Sequence, residues 1–66
     1  FDRLAIIYEA VRITEKMEAD GYIWFHQTPS YIYFKKGGML WRVDRKARML
    51  ECNVNHIWRP ACPIVL

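Results

Sequence analysis

Two histidines and two cysteines, His26, Cys52, His56 and Cys62, are the residues of this 66-residue chain that could together do metal chemistry. Thiolate and imidazole in a set of four are the ligand types of a structural zinc site. Such sites hold their cysteines two to four residues apart, so that one turn aims both sulfurs at the metal. Cys52 instead stands alone on an expected strand, and Cys62 follows well beyond that spacing. No metal and no cofactor are expected. A disulfide between Cys52 and Cys62 would need an oxidising compartment, for which nothing else in the sequence argues. The expected state is two reduced, mostly buried thiols acting as small hydrophobes.

Catalysis finds as little support. There is no Gly-rich phosphate loop, no nucleophile elbow and no paired-carboxylate spacing. The acidic residues fall mainly at intervals that suit pairing with Lys and Arg on a helix face. His26, beside Gln27 at an expected strand end, is the one candidate general base. A strand-end histidine with a satisfied hydrogen bond is the simpler account, and no catalytic residue is expected.

Binding chemistry is better represented. Three Trp, four Tyr and three Met are the residue types enriched at interface hot spots, together with Arg. If the partner is a protein, Trp24, Tyr31, Tyr33 and Trp41 supply the anchors, with Arg42 and Arg45 at the rim. Charge is unevenly divided: residues 1–21 carry three basic and five acidic side chains, residues 22–66 seven basic and two acidic. An anionic partner should therefore meet the second part. Nucleic acid is the alternative partner, with Lys35, Lys36, Arg45, Lys46 and Arg48 on phosphates and exposed rings available for stacking. Two features weigh against it. These cations group at the two ends of one expected strand, and no known nucleic-acid motif is present. Lys and Arg at such positions also blunt exposed turns and sheet edges.

These residues must be held by a small scaffold. At 53% hydrophobic and 26% charged the chain should fold. No apolar run reaches the roughly 18–20 residues of a membrane span, and no stretch has the pattern of a signal peptide, so a soluble, cytoplasmic domain over residues 1–66 is expected. The opening at Phe1 rather than Met is what trimming at that end would leave. One core of this size supplies only about 3–5 kcal/mol, so a partner or a second copy of the chain is an expected source of further stability.

Residues 3–20 contain good helix formers and no Gly or Pro, with Asp2 placed to cap the start and Gly21 to cap the end. On that helix Leu4, Ile7, Tyr8 and Val11 share one stripe, and Ile6, Ala10, Ile13 and Met17 form a second. Packing on a small sheet needs only the first stripe, so the second is left for the C-terminal tail, another chain or a partner. After Gly21 β-branched and aromatic residues alternate with turn signals. Strands are expected at Tyr22–His26, Tyr31–Lys35, Met39–Val43 and Met49–Val54, joined at Pro29, at Gly37-Gly38 and at Asp44–Ala47. Asn55–Leu66, with Pro60 and Pro63, reads as an irregular apolar tail. The fold class is α+β: one N-terminal helix packed on an antiparallel meander of three to four strands. Aromatic residues fall on both strand faces, which leaves rings uncovered once the helix occupies one side.

The run from Glu18 to Gly38, with its helix end, Gly21-Tyr22, a strand reaching His26-Gln27 and a tyrosine-rich second strand, resembles the HicA-type RNA-cleaving toxins. The resemblance covers about a third of the chain. It implies a double-stranded-RNA-binding-domain-like fold and, as a second alternative, a small RNA-cleaving enzyme. That family places its catalytic histidine just after a Gly-Ser at the start of the second strand, where this chain has Ser30-Tyr31. A second, C-terminal helix is also part of the family pattern and has no counterpart here.

Overall fold

The computed structural model describes residues 3–65, with side chains from Ile7 onward. Helix α1 (Arg3–Ala19) is followed by β1 (Ile23–Gln27), β2 (Tyr31–Lys36), β3 (Met39–Asp44), β4 (Met49–Val54) and β5 (Ile57–Pro63). The strands form one antiparallel sheet in the order β1-β2-β3-β4-β5. The fold is thus α+β with a meander, and none of the described helices is long and apolar enough to cross a membrane. The cap expected at Asp2, and the side chains of Leu4 and Ile6, lie outside what is described.

The end of α1 follows from Gly21. Its φ of +93° is a left-handed conformation that a Cβ would strain. Gly21 N–H donates to Glu18 C=O and Tyr22 N–H to Met17 C=O, both at 3.0 Å, which is the Schellman pattern. This reversal tucks Tyr22 under Met17 and decides which helix stripe meets the sheet. Ala10, Ile13 and Met17 are buried, while Ile7, Tyr8 and Val11 are exposed. The expectation had the stripes the other way round. Small Ala10 allows close approach, and the Met17–Tyr22 connection aligns the second stripe with the sheet.

On the sheet side the core is Ile32 and Phe34 of β2, Val43 of β3, Leu50 of β4 and Ile64 just past β5, with Tyr22 and Trp41 packed against it. The register places these residues in rows: Gln27, Ile32, Val43, Leu50 and Cys62 cross the sheet together, as do Trp24, Phe34, Trp41, Cys52 and Arg59. Cys52 is buried and Cys62 exposed, and both are free thiols.

The C-terminal segment corrects the expected irregular tail and the expected strand number: it is a fifth strand. Asn55 and His56 both have positive φ, 52° and 65°, giving a two-residue hairpin of the type that matches strand twist. Gly37 and Gly38, at 61° and 76°, make the corresponding turn between β2 and β3. Pro60 and Pro63 are tolerated because β5 is an edge strand, and the register shift between Leu50 and Glu51 takes up the irregularity around them. The backbone N–H of Ile64 then donates to Arg48 C=O at 2.7 Å, fastening the end of the strand beside the β3–β4 turn.

Candidate functional site

With α1 on one face, the other face of the sheet is covered by no described element. A row of register partners, His26, Tyr33, Arg42, Glu51 and Pro60, runs across it from β1 to β5. Alternation adds Tyr31 on β2 and Trp58 on β5 to the same face. The rings pack on one another. The Tyr33 ring centroid lies 5.3 Å from that of His26, 6.0 Å from Trp58, and 6.2 Å from both Phe25 and Tyr31. Such spacings are those of favourable edge and tilted aromatic pairs.

Arg42 sits in the middle of this cluster. Its guanidinium lies 4.1 Å from the Tyr31 ring centroid and 4.3 Å from that of Trp58. Arg42 Nε donates to Glu51 Oε1 at 2.6 Å, a charge-assisted bond between side chains that are 17% and 19% exposed. Burial works against the charge on Arg42, but the Glu51 carboxylate and the Tyr31 and Tyr33 hydroxyl groups outweigh it and hold the guanidinium pKa above its ordinary value. The result is a planar cation fixed between two rings, with Tyr33 bracing one side.

The β1–β2 turn below the face is held by local bonds. Thr28 N–H donates to Tyr31 C=O at 2.8 Å, and Tyr31 N–H donates to Thr28 Oγ1 at 3.0 Å. The strand that carries Tyr31 and Tyr33 therefore starts from a fixed point. On the other side of the sheet, Arg48 grips Glu9 with two bonds, Nε to Oε1 at 3.1 Å and Nη2 to Oε2 at 3.2 Å, which ties the β3–β4 turn to α1. The hydrogen bond from Arg48 holds the Glu9 carboxyl below its usual range.

Of the residues expected at a protein interface, the anchors Tyr31 and Tyr33 and the rim residue Arg42 are brought together on the open face, with Arg42 at its centre. Trp24 and Trp41 lie on the helix side. Trp41 is half-buried, 5.5 Å from Tyr22 between ring centroids, and its Nε1 donates to Lys36 C=O at 3.2 Å. Burial pushes the Tyr22 phenol upward in pKa. Arg45 also belongs to the helix side: it lines a groove between α1 and β1, and its Nη1 donates to Pro29 C=O at 3.3 Å. Trp58 is the functional candidate that sequence reasoning missed, because Pro60 and Pro63 hid its strand. Asn55, a residue that readily turns left-handed, was the available sign of a hairpin.

The cations proposed for phosphate contact are divided. Lys35 and Lys36 end β2, while Arg45, Lys46 and Arg48 follow β3 at the opposite end of the sheet. Several have internal partners: Lys36 Nζ donates to Asp20 C=O at 2.7 Å and lies 4.5 Å from the Tyr22 centroid, Lys35 lies 4.8 Å from that of Phe25, and Arg48 holds Glu9. Among the described residues no group of three His, Cys, Asp or Glu side chains is placed to hold a metal.

No family model matches the chain, and no curated protein or solved structure does so either.

Proposed function

We propose that this chain is a small non-catalytic binding module, an inhibitor or adaptor, that docks on a larger protein through the open face of its sheet. The observation that carries the reading is the Arg42 guanidinium held between Tyr31 and Trp58 and bonded to Glu51. Trp, Tyr and Arg dominate interface hot spots, and side chains already locked by their neighbours lose little freedom on binding. Tyr33, in contact with four other rings, serves as the central anchor. Arg42, with its charge largely offset by Glu51, holds the Tyr31 and Trp58 rings in place and leaves the partner only its remaining N–H donors.

The nucleic-acid reading draws less support, since its cations stand at two ends of the sheet and several already serve the fold. Paired variants separate the two readings once a partner is in hand. Tyr33→Ala should cost at least 2 kcal/mol of binding, the hot-spot range. Lys35→Glu with Lys46→Glu should leave affinity within a few-fold. The reverse pattern, with a steep loss of affinity as salt rises, would assign the function to phosphate contacts.

A further inference from the structure

The two edges of the sheet are built differently. β5 carries Pro60 and Pro63, which offer no N–H to a neighbour, and Arg59. β1, with the sequence Ile23-Trp24-Phe25-His26-Gln27, has no Pro and no Lys, Arg, Asp or Glu, and all five of its residues are exposed. Edge strands are normally blunted by charge or proline, because their unpaired N–H and C=O groups template another strand. The one such device on β1 is the register shift at Phe25. Beside this edge lies the groove between α1 and β1, about 930 Å³ in volume, with apolar walls from Ile7, Val11, Ile23 and Trp24.

We infer that β1 and this groove form a homodimer interface, in which β1 of one copy pairs antiparallel with β1 of a second about a twofold axis. The surface is distinct from the open aromatic face of the proposed function. Three observations favour a second copy as the occupant. The strand offers the same unsatisfied edge to its own symmetry mate, as an isologous contact requires. The area is adequate: Ile7, Val11, Ile23 and Trp24 are 59%, 46%, 67% and 45% exposed. With full areas near 200 Å² for side chains of this size, they leave on the order of 400 Å² uncovered. The strand backbone and the polar rim of the groove add to that, toward the roughly 800 Å² per partner of a standard interface. The charges also match. Glu15 and Glu18 line the groove where α1 ends, and Arg45 lines it near Gln27, where β1 ends. Because α1 leads directly into β1 through a reversal, a twofold axis through β1 sets the acidic end of one groove beside the cationic end of the other. The bulge at Phe25 keeps the strand ladder short, so the groove side chains carry most of the association.

The test is sedimentation equilibrium of the full chain over a wide concentration range. The wild-type mass should rise with concentration from 8.0 kDa toward twice that value. Ile7→Glu and Ile23→Lys, both at exposed positions, should each weaken the dimer at least tenfold while keeping the wild-type circular dichroism and melting transition. Tyr33→Ala should dimerise like wild type. A wild-type chain that stays at 8.0 kDa up to millimolar concentration would overturn the inference. So would a dimer that both edge variants retain, or one that Tyr33→Ala dissolves.

Discussion

Arg42 on β3 and Glu51 on β4 are register partners in the sheet, and their side chains meet at 2.6 Å on the face that α1 leaves open. The pair does two jobs at once. It neutralises charge on a half-buried surface, and it fixes the guanidinium between the rings of Tyr31 and Trp58. Position in the ladder, ring stacking and ion pairing all specify the same Arg42 conformation.

That arrangement makes Glu51 dependent on Arg42. Arg42→Ala strands a half-buried carboxylate and should destabilise the fold by about 1–3 kcal/mol. Arg42→Ala combined with Glu51→Ala should cost less than the sum of the single changes. Urea denaturation of the four proteins of this double-mutant cycle gives the coupling directly, and additive costs would mean that the pair does not act as a unit.

The Glu9–Arg48 bridge makes stability pH-dependent. Hydrogen bonding to Arg48 lowers the pKa of Glu9 in the folded state, so its contribution is present above the unfolded value and is lost as pH falls through the folded one. Wild type should melt above Glu9→Gln at neutral pH, and the gap should close below about pH 4. Both side chains are substantially exposed, so the gap should also shrink in high salt. Thermal melts at stepped pH and ionic strength read this, and a gap constant in pH would remove the bridge from the account.

The β4–β5 turn should be improvable. His56 holds a φ of 65°, which costs an L side chain about 1–2 kcal/mol and glycine little. His56→Gly should therefore stabilise by about 0.5–1 kcal/mol after the added flexibility of the unfolded chain is offset. For a domain this small that corresponds to a rise of several degrees in melting temperature. A fall would show that the imidazole makes a contribution larger than the backbone strain.

Ile64, just past β5, is buried in the same core cluster as Ala10, Ile13 and Met17. Ile64→Ala should cost about 2–5 kcal/mol, comparable with the whole stability of a domain this small. The variant should be largely unfolded at room temperature by circular dichroism, whereas Val65→Ala, at an exposed position, should be neutral.

Much of the architecture was legible from local chemistry. Gly21 marked the helix end because a Schellman turn needs its positive φ, and Gly37-Gly38 marked a hairpin for the same reason. Strict alternation in Tyr31–Lys35 separated buried Ile32 and Phe34 from open Tyr31 and Tyr33. What escaped was tertiary. Both stripes of α1 are apolar, and only the path of the chain under Met17 selects Ala10, Ile13 and Met17 for the sheet. Trp41 and Tyr33 are both large rings on neighbouring strands, and register alone puts Trp41 with the core. Trp58 was lost because prolines are read as strand breakers, yet an edge position removes the need for their missing N–H. The ion pair of Arg42 with Glu51 depended on the β3–β4 register, which the loose turn expected at Asp44–Ala47 did not reveal.

The central claim is that the open aromatic face binds a protein. Its most direct test is affinity capture from a lysate of the source organism, with and without nuclease, using wild type, Tyr33→Ala and Trp58→Ala baits matched for folding. The account predicts one stoichiometric protein that survives nuclease and is lost with either aromatic variant. Recovery of nucleic acid, with proteins lost on digestion and both variants still active, would contradict it.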